Sequence, residues 1–324
     1  MAENLTPLPT WHAGETLLQE QAGVAERMRV VGPRVVRDYM PDQHRDFYAQ
    51  LPFIVLGTVA AGDDAWATIL CGKPGFMKSP APTTLDIAAR AHASDPAGAG
   101  LREGAAIGLL GIEMHTRRRN RMNGILASGQ GGLHVAVDQS FGNCPRYIQL
   151  RDVAFARDPD EPFTVLPEDL ARLDPHARGM VEAADAFFVA SYADRDARRQ
   201  VDVSHRGGKP SFVRVGDDGL LTIPDFDGNG FFATLGNLVL NGRAGLVFVD
   251  YANGDVLQMT GDAKVMLDSP EIAAFLGAQR LWTFRARRIV RRRGALALRW
   301  RYRPDGQSPH ALMTGEWGRA ATTR

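Results

Sequence analysis

Between residues 202 and 210 the chain sets Asp202, Ser204, His205, Arg206 and Lys209 around a Gly207-Gly208 pair and closes the stretch with Pro210. A hydroxyl, an imidazole, a guanidinium and an ammonium this close together suit a phosphate or another anionic, planar group. On a strand Asp202, Ser204 and Arg206 share one face, because side chains alternate with a period of two. The two glycines let the backbone turn and approach a ligand closely. A solvated hairpin with a Gly-Gly turn is the competing reading, since short polar motifs recur without function.

Three further stretches could add to such a site. Asp227-Gly228-Asn229-Gly230 followed by Thr234 and Asn237 offers amides and hydroxyls among glycines, as an anion-binding nest would. Asn229-Gly230 alone also fits a tight hairpin turn. Thr234 and Asn237, three apart, would share one side of a helical turn. Arg117, Arg119, Arg121 and Asn123 would line one side of a strand. No aromatic residues interleave them as a single-strand nucleic-acid platform requires, so a phosphate-bearing cofactor is favoured over a nucleic acid. A charged edge strand is the plain alternative. In the tail, Arg299 beside Trp300 could cover a ring and an anion, with core packing as the alternative for the indole.

Other chemistry is missing. There is no GxSxG elbow, no HExxH and no GxxxxGK[ST]. His12 and Glu15 read as a helix start, the other histidines lack ligand spacing, and no metal site is expected. Cys71 and Cys144 form no CxxC, which suits a reducing compartment. The net charge of +1 argues against a nucleic-acid binder. The first ten residues lack the basic and apolar regions of a signal peptide, and no apolar run approaches about 18 residues. A cytoplasmic location without membrane contact is expected.

The elements that position these residues occur twice. Phe53-Ile54-Val55-Leu56 is echoed by Phe187-Phe188-Val189-Ala190, Gly72-Lys73-Pro74 by Gly208-Lys209-Pro210, Gly108 by Gly245 and Gly124 by Gly261. The offsets are 134, 136, 137 and 137, far longer than a solenoid period. Two copies of one domain related by a pseudo-two-fold axis follow, with a site expected where they meet. Short apolar or alternating runs at hairpin spacing predict antiparallel strands near 53–60, 66–70, 85–89, 105–113, 119–128 and 133–139. They recur near 187–193, 199–205, 211–215, 219–223, 243–250 and 255–265. Helices are expected over 15–31, broken near Gly23 and ended by Gly32-Pro33, over 34–50, and after Asp95-Pro96, Asp174-Pro175 and Ser269-Pro270. The predicted order is a loose start within a helical segment 1–50, a first barrel 51–155, a linker 156–180 and a second barrel 181–324.

Taken together, these motifs resemble the pyridoxamine 5′-phosphate oxidase-related, FMN-binding split-barrel family, in its branch with two barrels per chain. The resemblance rests on Trp11-His12-Ala13-Gly14-Glu15, Gly72-Lys73-Pro74-Gly75-Phe76, Thr116-Arg117-Arg118-Arg119 with Arg121, Gly142-Asn143-Cys144-Pro145-Arg146-Tyr147, Asp202–Gly208, Thr234–Asn237 and Leu298-Arg299-Trp300. It implies a mainly β fold with peripheral helices: two tandem six-stranded antiparallel split barrels docked as a pseudo-dimer within one chain. It implies FMN at their interface, with Ser204, Arg206, Lys209, Pro210, Asn229, Thr234 and Asn237 in the better-preserved copy, Arg119 and Arg121 reaching across, and Arg299 and Trp300 closing over it. Copy one has Ile69-Leu70-Cys71-Gly72 where copy two has Ser204-His205-Arg206-Gly207, so one flavin per chain is expected. The implied activity is a flavin-dependent oxidoreductase acting on a small molecule, with hydride transfer at N5 and His205 relaying a proton. NAD(P)H or a reductase would be the electron donor. A non-catalytic flavin carrier or sensor, or a split barrel using FAD, a deazaflavin or haem, is the alternative, and a homodimer is compatible with either.

Overall fold

The computed structural model describes residues 10–195 and 198–318; of the loose start expected over 1–10, residues 1–9 lie outside them. The fold is mainly β with peripheral helices. β1 (Phe53–Val59), β2 (Ala65–Cys71), β3 (Met77–Lys78), β4 (Thr84–Ile87), β5 (Ala106–Glu113), β6 (Arg118–Ala127) and β7 (Leu133–Gly142) form one curled antiparallel sheet. Its order is β2-β1-β5-β6-β7-β4-β3. After β8 (Arg151–Phe155) and β9 (Pro167–Leu170), the plan returns. The second sheet uses β10 (Ala186–Arg195), β11 (Arg198–Gly207), β12 (Arg214–Val215), β13 (Leu221–Phe226), β14 (Arg243–Val249), β15 (Val256–Met266) and β16 (Ala278–Arg292), in the order β11-β10-β14-β15-β16-β13-β12. β17 (Leu298–Tyr302) pairs with β8. Each sheet thus has seven strands on its path where six were expected: the first adds the two-residue β3 after the Gly-Lys-Pro turn, and the second adds β16, since β12 falls within the strand expected at 211–215. The stretch expected as a bare linker contributes β9, which pairs with β16.

The register corrects the repeat. Val55 pairs with Leu110 and Phe188 with Val247, and Leu110 and Val247 are mates 137 apart, so β1 and β10 match at an offset of 133. The Phe53/Phe187 match is one residue off. A one-residue slip turns every side chain to the other face. Ile54 and Leu56 enter the first core, as Phe187 and Val189 enter the second. Val55 and Phe188 instead share a third cluster with Phe53, Ala67, Ala190 and Val203. That cluster is the apolar seam between the sheets. Two mated glycines allow the close approach: a Cβ on Gly108 would lie 2.8 Å from the Asp202 carbonyl carbon, and one on Gly245 2.6 Å from the Trp66 Cα. The same bulge follows Asn123 in β6 and Thr260 in β15.

Three helices precede the first sheet: α1 (Ala13–Gln21), α2 (Ala25–Val35) and α3 (Asp42–Gln50). α2 runs through Gly32-Pro33, contrary to expectation. Gly32 is buried under the Trp11 ring, which a Cβ would strike at 2.6 Å, and Val36 N–H still reaches the Gly32 carbonyl. Residues 36–41, expected as helix, are irregular around an isolated bridge from Arg37 to Ser140, and Pro41 restricts the residue before it. α4 (Pro175–Ala183) is capped by Asp174 as read. α5 (Ala233–Asn241) stands between β13 and β14, where the first half has a 3-10 helix, Pro96–Gly100. α6 (Pro270–Ala274) and α7 (Pro309–Leu312) complete the chain. Among the described residues no helix is long and apolar enough to cross a membrane.

Candidate functional site

The pairing of β10 with β11 fixes the mates of the polar stretch: Phe188 faces His205 as Val55 faces Ile69. Ser204 therefore matches Thr68, His205 matches Ile69, Arg206 matches Leu70 and Asp202 matches Trp66, one residue from the alignment expected. By the same logic Arg121 matches Gln258 and Arg119 matches Val256.

Where β6 of the first half crosses β11 of the second, a cleft of about 840 Å³, counted to its open mouth, is lined from both halves. β11 supplies Ser204, His205 and Arg206, β6 supplies Arg119 and Arg121, and the first turn of α5 supplies Thr234. Ser204 Oγ and Thr234 Oγ1 are 2.6 Å apart, and the Arg121 guanidinium donates to Ser204 Oγ. Arg121 Nη1 also lies 2.8 Å from the buried Asp202 carboxylate. Arg206 pairs with Asp225 at 2.6 Å, and Arg280 holds the other Asp225 oxygen at 3.1 Å. The Nε atoms of Arg121 and Arg206 are buried and unpaired. Arg119 donates to the Cys144 carbonyl at 2.6 Å and lies 3.4 Å from His205 Nδ1. No carboxylate among the described residues pairs with it. Burial and the neighbouring Arg121 charge pull Arg119 down to about 9. Phe232, the N-cap of α5, has left-handed backbone and no capping side chain. That leaves the helix N-terminus, with its partial positive charge, facing the cleft.

His205 is neutral here. Burial, then Arg119, Arg151 and Arg206, press its imidazole well below 6.5. The Arg119 donor makes Nδ1 an acceptor, so Nε2 carries the proton. A relay that relies on titration near neutrality does not suit it.

Seven sequence-predicted residues meet in this cleft: Arg119, Arg121, Ser204, His205, Arg206, Asn229 and Thr234. Five do not. Lys209 points away to Glu316 at 4.0 Å, and Pro210 is exposed beyond the turn. Asn237 is on α5 as read, but α1 packs over that face and draws its amide to His12 and Ser191. Trp300 is buried in the seam, edge-on to Phe53 and Tyr251, and Arg299 donates to the carbonyls of Leu296 and Leu298. β17 pairs with β8, and this holds both outside the cleft. Arg117, expected on the β6 face, sits in the preceding turn at φ 60°.

The residues missed lie in two crossing segments. Asn143, Cys144, Arg146 and Tyr147 follow β7; Asp225, Phe226, Phe231 and Phe232 end β13 and lead into α5. Arg146 pairs with Asp227, Asn229 donates to Asn143 at 3.2 Å, and Tyr147 stacks on Phe226 at 5.2 Å. The 142–147 motif carried the family resemblance but no assigned role, and was the signal available. The tail arginines are engaged internally: Arg285 with Asp218, Arg287 with Asp64, Arg288 with Asp169, Arg291 with Glu168 and Asp174.

The mated position in the first half contains its own anion. Asp95 is the N-cap of the 3-10 helix and accepts from Ala97 N–H at 3.0 Å and from Thr68, the mate of Ser204. It also accepts from Gln258, the mate of Arg121, at 2.9 Å, and from Arg292 at 2.7 Å. Trp66 packs beside it with Ala97 and Val290.

No family model and no curated protein matches the chain. Among solved structures, tagged HupZ of Group A Streptococcus is similar at 16% identity and a TM-score of 0.29 over 36% of this chain and 91% of that one. A histidine-to-alanine variant of HupZ gives 16%, 0.29, 37% and 98%. At that TM-score the likeness bears on neither ligand nor chemistry.

Proposed function

We propose that the seam cleft binds one FMN per chain and that the protein is a flavin-dependent oxidoreductase acting on a small molecule. The observation that carries this is the contrast with the mated position. There a carboxylate rests on a helix N-terminus, a hydroxyl, an amide and a guanidinium; the cleft keeps the helix N-terminus and the hydroxyl, has Arg121 in place of the amide and adds Arg119, which has no acidic partner among the described residues. Such a surplus of buried donors favours an anionic group brought from outside. Ser204, Thr234, Arg121 and the first turn of α5 would hold the phosphate. Arg119 and Arg206 would hold further anionic or carbonyl oxygens, and Tyr147, Phe226, Phe231 and Phe232 would supply an apolar wall for the ring. A bound flavin supplies hydride acceptance and donation at N5. The chain's own part is to bind, to orient and to keep His205 neutral beside Arg119.

The test is to denature purified protein and identify the released molecule by mass spectrometry. FMN at one per chain supports the reading; FAD, a deazaflavin, haem or nothing overturns it. NADH or NADPH added to the coloured protein, followed by air, separates a turning-over oxidoreductase from a carrier or sensor that stays oxidised.

A further inference from the structure

Behind the cleft, past Phe231 and Ala233, lies a small polar chamber of about 10 Å³, room for about one water. Glu15, Asn123, Gln139, Gln200, Asp202 and Asn237 line it, and Phe231 and Ala233 belong to both spaces. It forms because α1 crosses α5 closely: a Cβ on Gly236 would lie 2.7 Å from the Glu15 backbone nitrogen. Glu15 is 6% exposed and Asp202 2%. Glu15 accepts the His12 backbone N–H at 2.9 Å in a capping box, and the His12 ring is held by Asn237 at 2.9 Å. Capping does not require a carboxyl, because glutamine serves equally at that position.

The charges facing these two acids come from every element around them. Glu15 faces His12 on α1, Asp202 on β11, Arg195 on β10 and Arg121 on β6. Asp202 faces Arg121, Arg206, Ser204 and Thr234. His12 is neutral, drawn down to about 4 by burial and Arg195. Burial pushes Glu15 up to about 8, with Asp202 adding to the rise, and burial also raises Asp202. Arg121 is thus the cation that links the cleft to the chamber: from the cleft its Nη2 meets the Ser204 hydroxyl, and its Nη1 meets Asp202, which lines the chamber.

We propose that Glu15 and Asp202 form a proton site coupled to the cleft through Arg121, so that an anion entering the cleft brings one proton from solvent into the chamber. The anion and the two carboxyls compete for the same guanidinium. When the anion engages it, the carboxyls lose compensation and the proton, taken from water or buffer, neutralises one of them. This rests on the reading that the cleft accepts an anionic group, but not on that group being a flavin.

The test is calorimetric titration of the full chain with sulfate, which does not itself titrate near neutrality, and in parallel with FMN. Each is run in two buffers of different ionisation enthalpy between pH 7 and 9. For the wild type the expected result is uptake of about half a proton per anion near pH 8, rising toward one at pH 9, and sulfate affinity about tenfold weaker at pH 9 than at pH 7. Glu15→Gln should bind at pH 7 but show no uptake and less than about a twofold change over that range. Binding of either ligand without proton uptake, or equal uptake in Glu15→Gln, overturns the proton site. Sulfate binding with uptake and no FMN binding leaves the proton site standing and removes the flavin reading. If neither ligand binds, both fall. Infrared difference spectroscopy gives a check without ligand: a protonated carboxyl band at pH 7 that Glu15→Gln removes supports the proposal, and an unchanged band refutes it.

Discussion

The cleft at Ser204 and the filled position at Thr68 are mates in one duplicated design, and they differ in where the anion comes from. In the first half Asp95, a residue of the chain, satisfies the helix N-terminus, the hydroxyl and Arg292 at once. In the second half no side chain among the described residues caps the start of α5, Asp202 engages Arg121 and the Ser204 and Thr234 hydroxyls instead, and Arg119 is added without an acid to match. Substitution of Arg121 by Gln258 and His205 by Ile69 removes charge from the first half, while Trp66 and Arg292 occupy space and potential there. Duplication therefore preserved one donor geometry twice and left it open once. The filled copy contributes cohesion; the open one is available for binding.

The largest effect that could break this comparison is Asp95→Ala. It strips the counter-charge from Arg292, which is 3% exposed. Losing one member of a buried pair costs about 3–5 kcal/mol, read as a lower midpoint in urea unfolding. FMN stoichiometry should stay at one per chain, because Trp66 still fills the position. A second bound FMN would mean that the first half is a latent site held shut by its own carboxylate.

The next effect concerns pH. Glu15 is raised from 4.5 to about 8, so the folded chain binds the proton more tightly than the unfolded chain does. Its contribution is complete below pH 4.5 and is lost as pH rises through 8. His12, lowered from 6.5 to about 4, works in the opposite sense and costs stability as pH falls below 6.5. Glu15→Gln should therefore gain on the wild type as pH rises, by on the order of 1–3 kcal/mol at pH 9. Parallel pH profiles of the two proteins in chemical denaturation would show instead that Glu15 is ionised in the fold.

Arg119→Ala sharpens the contrast at the site itself. A charge-assisted contact in a desolvated cleft is worth about 1.5–3 kcal/mol, so FMN affinity should fall roughly ten- to hundredfold by fluorescence titration. Val256→Ala, at the mated position, should leave it unchanged. Equal losses in both variants would point to the seam, and not the arginine, as what matters.

The sequence made the duplication and most strands legible because buried strands and their turns carry strong periodic signals. It also marked Ser204, His205, Arg206, Thr234, Arg119 and Arg121, since charged and hydroxyl residues at period-two spacing imply a shared face. The Gly-Lys-Pro echo, at an offset of 136, already places Ser204 on Thr68, and the pairing agrees; the alignment of Ser204 with Ile69 departed from that echo by one residue, an error that leaves the motif intact. Asn237 and Trp300 were misplaced for a different reason. Their own elements formed as read, but α1 over α5 and β8 beside β17 decided what they face, and those contacts join residues 225 and 147 positions apart. Asp225, shared by Arg206 and Arg280, lay in an apolar strand and announced nothing until the strands paired.

The smallest predicted effect tests the rule that shared features are scaffold. Gly-Lys-Pro was the clearest echo between the halves, and the structure uses it the same way twice. Each glycine seats a phenylalanine four residues on: a Cβ would meet Phe76 Cβ at 2.7 Å in one half and the Phe212 ring at 2.6 Å in the other. Each lysine leaves the turn for acids outside the cleft, Lys73 for Asp158 and Asp160, Lys209 for Glu316. Such exposed pairs contribute little. Lys73→Ala and Lys209→Ala should therefore behave alike, each with less than about 1 kcal/mol of destabilisation and less than about a twofold change in FMN affinity. A tenfold loss in Lys209→Ala alone would show that one copy of a common turn had been recruited to the ligand. Binding would then draw on what the halves share as well as on what they do not.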